Sequence, residues 1–540
     1  MKYHIRSGVL PWDKVTPQDC LTRNVLGSNS GNLIYQYSIV KLMSLNNVEF
    51  SSNRYSYDLD TAKKVNEECE AFIIPLADAF REDFMVELKS ITNFIKALNI
   101  PCVVVGVGLR APYEPNLKNG FRFDKTVKEF VNAVLETGTI LGLRGEITAR
   151  YLKNLGYREE IDFTVIGCPS LYMNGDRIPL KNIKFHEDMR LGTSFATNEE
   201  ISGRFLNKVT ERFKNHFYVG QVVDDLRTLY TGLSMESHGM YYPCDINSRY
   251  YKDNRCKFFI NVPKWLQFMQ TLDLAVGTRF HGTVAGLLAG TPSVLIKRDT
   301  RTRELSEYHG IPSVLLNDIK DMPTLENIIT KVDFSVLGKK HGANFNHFVD
   351  FMTKNNIKVE TDAKQLEKFI DRIPMVGLHN AVTAVGSVSL NHVKQNYIKL
   401  SFDSVQKDKY VLSKWLDISL QGRSLSDYLS KKHLNRIVVF GVGNFAAKLL
   451  YDLRRNNNIT LVGLIDHRNI HINFCGIDTK TINEIDFSKV DLIVSTKPNT
   501  LEADKKKFIN SDKIISISDL VDNCVSVKAN TPIIKTSDQV

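Results

Sequence analysis

Four residue patterns in this chain have types and spacings that could do chemistry. The sharpest is AVGTRFHGTVAGLLAGTPSVLI, Ala275 to Ile296. An apolar strand there ends near Gly277 and a helix starts near Gly282. Arg279 and His281 therefore fall at the carboxyl end of a strand, beside Gly282 and a helix N-terminus. Open α/β sheets bind ligands at that place. Unpaired backbone N–H groups and the helix dipole favour an anion there. Arg279 can fork onto phosphate or carboxylate. His281 can donate a hydrogen bond or move a proton near neutral pH. Capping the helix or pairing with acids would use the same two residues without any ligand.

The following strand ends in KRDTRTREL, with Lys297, Arg298, Arg301 and Arg303 close together. This reads either as a basic funnel over an anion site or as a solvated loop with local ion pairs. Three earlier strand ends are glycine-rich or polar: Gly106, Gly108 and Arg110; Arg144, Glu146 and Thr148; and Cys168, Pro169 and Ser170. Near the start, Asn29, Ser30, Gly31 and Asn32 precede an amphipathic helix, as a close backbone approach to a ligand or as an ordinary cap. The fourth pattern is GVGNFA, Gly441 to Ala446, a G-x-G-x-x-A turn after a clean strand. Asp466 ends the next strand, 25 residues after Gly441, near the place of a ribose-reading acid. Gly441, Gly443 and Asp466 are thus candidates for a nucleotide in the C-terminal domain.

These residues need elements to position them. Apolar runs such as AFIIPLADAF, IPCVVVGVGL and TGTILGLRGE alternate with amphipathic helical stretches, so the fold class is α/β with parallel sheets covered on both faces. The expected division is a Rossmann-like domain over 1–175, a second over 176–375 carrying R-x-H-G, a linker over 376–430 and a third Rossmann-like domain over 431–540. The stretch NHFVDFMTKNNIKVE and the helical run after Asp362 should close the second domain.

Composition excludes several classes. The 540 residues are 43% hydrophobic and 24% charged, which is enough apolar material for several cores and too much for a disordered chain. The first residues lack the apolar stretch of a secretory leader, and no apolar run reaches the roughly 20 residues of a membrane span, so a cytoplasmic location is expected. Seventy basic against sixty acidic residues give a net charge of +10. That mild excess suits an anionic substrate or peripheral membrane association, and without a dense basic block nucleic acid is not expected. The eight cysteines form neither C-x-x-C pairs nor zinc spacings, so no metal is expected. P-loop, zincin and nucleophile-elbow motifs are absent.

LRGEITARYLKNLGY, VIGCPSLYM and VGTRFHGTVAGLLAGTPSVLIKRDTRTRELSEYHGIP, in this order, together with SGNLIYQYSIVKLM, resemble the polysaccharide pyruvyl transferase family. The resemblance runs over roughly residues 20–375. It departs at Asn32, where the family often has aspartate after glycine. The resemblance implies a GT-B-like pair of Rossmann-like domains with the site in the cleft. It implies transfer of a pyruvyl group from phosphoenolpyruvate to a sugar or lipid-linked glycan acceptor of a surface polysaccharide, forming a ketal and releasing phosphate, with no required cofactor. Arg279 and His281 would be catalytic. Arg144 would anchor the donor, with Arg301 and Arg303 at the mouth and Asn29, Gly31, Asn32, Gly108 and Gly282 around the substrate. The competing readings are a GT-B glycosyltransferase using a nucleotide sugar and a non-catalytic nucleotide-sensing protein.

Overall fold

The computed structural model describes residues 1–197, 199–232, 240–243, 248–383, 408, 410–466, 471, 473–496, 501–505, 507–508 and 511–526. It divides into two compact units, residues 1–397 and 398–540.

The first unit holds two sheets. One contains β1 (Lys2–Ile5), β2 (Glu49–Ser52), β3 (Ala71–Pro75), β4 (Cys102–Val107), β5 (Leu141–Leu143) and β6 (Phe163–Val165), in the order β2-β1-β3-β4-β5-β6. Every pairing is parallel. All residues of β3 and β4 are buried, so both strands read as unbroken apolar runs.

The other sheet contains β7 (Leu191–Ser194), β8 (His216–Gly220), β9 (Cys256–Phe258), β10 (Leu274–Gly277), β11 (Ser293–Lys297), β12 (Ser313–Leu315) and β13 (Val382–Thr383). Its order is β12-β11-β10-β7-β8-β9-β13. Only β13 runs antiparallel, against β9. Without β13 this is the 3-2-1-4-5-6 order of a dinucleotide-binding fold. Residues of both sheets join one continuous apolar core.

Strand order reverses between β1 and β3 in the first sheet and between β7 and β10 in the second. Doubly wound sheets bind ligands just beyond the carboxyl ends of strands at such reversals. Both reversals serve the same cleft, described below.

Three helices join the two sheets. Gly31–Met43 is buried on almost every side, including Leu33, Ile34, Tyr35, Ile39 and Met43, because it lies inside the shared core. Thr300–His309 begins just after β11 yet bonds to the first sheet along its length. Thr300 Oγ1 donates to the Leu109 carbonyl at 3.0 Å, Thr148 Oγ1 donates to Glu304 at 2.9 Å, and the Cys168 N–H donates to His309 Nε2 at 2.7 Å. Ser335–Lys354 also returns to the first sheet. His347 Nε2 lies 3.0 Å from Thr164 Oγ1, and Lys354 pairs with Glu160 at 2.8 Å. This corrects the expectation that the NHFVDFMTK stretch closes the second domain: its apolar face, with Phe351 against Gly142, covers β5.

The second unit has β14 (Arg436–Phe440), β15 (Thr460–Ile465), a short hairpin of β16 (Asn473–Phe474) and β17 (Ile477–Asp478), then β18 (Leu492–Ser495) and β19 (Ile514–Ser516). The main sheet is parallel, in the order β15-β14-β18-β19. Its core takes in Val411, Trp415, Ile418, Leu425 and Leu429, so helices before residue 431 belong to this unit and not to a linker. Trp415 Nε1 donates to the buried Asp452 carboxylate at 3.3 Å, a bond that ties the helical residues 410–420 to the sheet's own helix. Much of the expected linker, 384–407, lies outside the described residues. Among the described residues no helix is long and apolar enough to cross a membrane.

Candidate active site

A cleft of about 500 Å³ lies between the two sheets of the first unit. Its walls come from the ends of β1 (Arg6), β3 (Asp78, Arg81), β4 (Arg110), β5 (Arg144), β10 (Arg279, His281) and β11 (Arg298, Arg301). Seven arginines against the three carboxylates of Asp78, Asp83 and Glu87 make it strongly cationic.

Arg279 is the N-cap residue of the Phe280–Leu288 helix. The Thr283 N–H is the first to bond back, to the Arg279 carbonyl at 3.1 Å, so the N–H groups before it stand at the open helix end. Arg279 Nε donates to the Phe195 carbonyl at 2.7 Å, just past β7. Its Nη2 is buried without a hydrogen-bond partner among the described residues, as are Arg298 Nε, Arg301 Nε and Gln221 Nε2. Arg298 Nε is nonetheless 3.9 Å from the Asp299 carboxylate; buried donors in folded proteins are normally hydrogen-bonded, so the Arg279, Arg301 and Gln221 nitrogens around one cleft suit an acceptor-rich ligand.

His281 lines the cleft with Nε2 3.4 Å from Ser170 Oγ and 4.0 Å from Cys168 Sγ. Gly31 lets it sit there, since a Cβ at Gly31 would lie 2.7 Å from His281 Nδ1. Burial, then the nearby Arg144 and Arg301 charges, push the imidazole well below its usual range, with Asp78 opposing them. His281 is therefore neutral in this setting.

Arg144 is only 1% exposed. Its guanidinium lies 5.0 Å from the centre of the Tyr35 ring, and Nε donates to the Gly106 carbonyl at 3.0 Å. Gly106 has φ +80°, which turns that carbonyl toward both Arg144 and the Tyr35 hydroxyl. Behind Arg144, Glu304 is fully buried at the N-terminus of the Glu146–Asn154 helix. Burial raises its carboxyl to about 7, although bonds from Thr148 and the Arg144 charge pull it down.

The structure brings Asn29, Asn32, Arg144, Arg279, His281 and Arg301 to the cleft. The Asn29–Asn32 turn acts as a cap: Asn29 Oδ1 accepts the Gly31 N–H at 2.8 Å, and Asn32 Nδ2 donates to the Leu26 and Gly27 carbonyls at 2.9 and 3.1 Å. An aspartate at 32 could make neither of the last two bonds. Gly108 and Gly282 stand behind the walls. A Cβ at Gly108 would meet Glu304 and Arg144, and one at Gly282 would lie 2.7 Å from Gln221 Nε2.

Arg303 is not at the mouth. It points the other way, onto Glu307 at 2.9 Å and the Tyr113 carbonyl at 3.3 Å. KRDTRTREL becomes helical at Thr300, so residues 301 and 303 project about 200° apart. The sequence reading also missed Arg6, Asp78, Arg81, Tyr35 and Gln221. The stretch LADAFRED follows β3 as directly as R-x-H-G follows β10, so the same strand-end rule reaches Asp78 and Arg81.

In the second unit, Gly441 and Gly443 form the turn between β14 and the Asn444–Leu453 helix, with φ of +105° and +147°. Asp466 directly follows β15 and is buried.

The family model for polysaccharide pyruvyl transferases matches residues 36–300, just under half of the chain. The match takes in Arg144, Arg279, His281 and Arg298. No curated protein matches the chain. Among solved structures, a functionally uncharacterised protein of Klebsiella pneumoniae is 11% identical, with a TM-score of 0.33, over 58% of this chain and 92% of its own. Staphylococcus aureus MnaA with UDP is 10% identical, with a TM-score of 0.34, over 69% and 95%. The Neisseria meningitidis UDP-GlcNAc 2-epimerase bound to UDP-GlcNAc is 9% identical, with a TM-score of 0.35, over 66% and 100%.

Proposed function

We propose that the cleft takes phosphoenolpyruvate as donor and transfers its pyruvyl group to two hydroxyls of a glycan sugar, forming a ketal and releasing phosphate. The observation that carries this reading is the convergence of the Arg279, Arg298 and Arg301 guanidiniums, each with a buried nitrogen that makes no hydrogen bond among the described residues, beside an open helix N-terminus. A donor with a phosphate and a carboxylate supplies the acceptors these groups lack. The family match over residues 36–300 supports the transferase class.

Arg279, Arg298 and Arg301 bind the donor's oxyanions and stabilise phosphate as it departs. Arg144 adds a fourth positive charge. It is held rigid by Gly106 and Tyr35, so it need not reorganise when charge moves. His281 is neutral before binding. Burial is the main cause that keeps the imidazole neutral, with the Arg144 and Arg301 charges adding to it; a donor anion beside the ring offsets the two arginines and favours the imidazolium, so that His281 can take up a proton and deliver it to the donor's methylene carbon.

The test is phosphate release from phosphoenolpyruvate with a panel of methyl glycosides bearing vicinal or 4,6-diols, run beside a panel of UDP-sugars. Release that needs both donor and glycoside, and that falls about 10²–10³-fold in Arg279→Ala, supports the reading. Turnover of a UDP-sugar without phosphoenolpyruvate overturns it.

A further inference from the structure

We propose that Asp78 accepts the proton of the attacking acceptor hydroxyl. The inference rests on the pyruvyl-transfer reading above and names a residue that the sequence motifs do not contain.

Asp78 follows β3 at the strand-order reversal of the first sheet and lines the cleft. Its two oxygens differ. Oδ2 gathers three arginines: Arg81 at 3.1 Å, Arg301 at 3.7 Å and Arg110 at 3.8 Å. Oδ1 accepts no hydrogen bond among the described residues, and in each of the three ion pairs Oδ2 is the nearer oxygen. The other buried carboxylates nearby have structural work. Asp225 accepts the Tyr218 and Tyr242 hydroxyls and two backbone N–H groups. Glu304 accepts the Thr148 N–H and hydroxyl, and Asp299 caps its helix through the Thr302 N–H. Of the other cleft carboxylates, Asp83 pairs with Arg81 at 2.8 Å and Glu87 with Arg6 at 3.5 Å.

Asp78 also stands between two chemically different ends of the cleft. On one side Arg301 leads to Arg144, Arg279 and His281. On the other, Arg81 lies 5.2 Å from the centre of the Phe84 ring, and beyond it are Tyr55 and Glu87. With the donor on the first side and a hydroxyl-rich sugar on the second, Asp78 lies between them, where the new C–O bond would form. Burial raises the Asp78 carboxyl, but Arg301, Arg81, Arg144 and Arg110 outweigh it and hold the group below the usual carboxylate range. It is ionised and weakly basic until a donor draws those arginines onto its own oxygens. Basicity then returns, which ties proton acceptance to donor occupancy.

The proton balance closes. The donor's C3 takes a proton from His281 as the first hydroxyl oxygen bonds to C2 and gives its proton to Asp78. The bond from C2 to the phosphate oxygen then breaks. The second hydroxyl oxygen bonds to C2, and its proton goes to the departing phosphate. One ketal and one hydrogen phosphate result without a redox change. Solvent carries the proton from Asp78 back to His281.

The test is Asp78→Asn, measured for phosphoenolpyruvate binding by titration calorimetry and for phosphate release with the methyl glycoside panel. Binding should stay the same or tighten, since a negative charge is lost, while turnover falls about 10²–10⁴-fold. In Asp78→Ala, added formate should restore turnover at least tenfold without changing donor affinity. Wild-type turnover in Asp78→Asn overturns the proposal. So does a loss of donor binding as large as that of Arg279→Ala, which would make Asp78 only a holder of arginines. A wild-type chain that neither binds nor turns over phosphoenolpyruvate removes the pyruvyl-transfer reading and the base with it.

Discussion

Glu304 reaches from the helix between β11 and β12 of the second sheet into the N-terminus of a helix of the first, where it accepts the Thr148 N–H at 3.0 Å and the Thr148 hydroxyl at 2.9 Å. Thr148 Oγ1 in turn accepts the Leu109 N–H at 2.9 Å, just past β4. The two halves of the cleft are therefore pinned together directly behind Arg144.

That pin has a pH dependence. The Glu304 carboxyl titrates at about 7 in the fold, against 4.5 for the ordinary group. Between those values the folded chain binds more protons than the unfolded one. Stability from this group is therefore full below about pH 4.5 and is lost as pH rises toward 7. Glu304→Gln removes the charge and keeps an acceptor for Thr148. Thermal melts should find the variant more stable than wild type at pH 8, by on the order of 1–3 kcal/mol, and close to it at pH 5. Lower stability at pH 8 would contradict the assignment.

His281 gives a second pH effect. Burial, with Arg144 and Arg301, keeps it neutral, and an anionic donor favours its proton. Binding of phosphoenolpyruvate near pH 7 should take up close to one proton. Calorimetry in two buffers of different ionisation heat measures this directly. His281→Gln should abolish the uptake. The same uptake in wild type and variant would place the proton elsewhere.

Gly31 has no ligand to bind in this account; it makes room. A Cβ there would lie 2.7 Å from His281 Nδ1 and 2.8 Å from His281 Cβ. Gly31→Ala should leave the chain folded but shift the imidazole, with turnover about tenfold lower or worse. Unchanged turnover would show that His281 has freedom the packing does not reveal.

Arg301 and Arg303 provide an internal control. Arg301 faces the cleft and Asp78, whereas Arg303 packs over Tyr113, 5.0 Å from the ring centre. Arg301→Ala should weaken donor binding at least tenfold, while Arg303→Ala should bind within about twofold of wild type. Equal losses would contradict the helix orientation.

Much of this was legible from residue order. Continuous apolar runs such as Cys102–Val107 can only be strands buried on both faces, and they are. R-x-H-G reads as a strand-to-helix turn because Gly277 ends a strand and the next residues start a helix. What stayed hidden depends on contacts between distant segments. The Gly31–Met43 helix, expected to be amphipathic, is buried on almost every side, Gln36 and Ser38 included, so its pattern does not announce which sheet it covers. The Thr300–His309 helix looks like a local basic stretch until Thr148, Cys168 and Leu109 are seen to hold it. Asp78 belongs to no motif and gains meaning only from three arginines that approach it from separate strand ends.

The most direct test of the central claim is calorimetric titration of the chain with phosphoenolpyruvate, beside Arg279→Ala. Phe195 holds Arg279 Nε, which leaves Nη2 unpaired in the cleft. The account predicts saturable binding to the wild-type chain, weakened at least tenfold in the variant. Absence of binding to the wild-type chain, or equal binding by both, would contradict it.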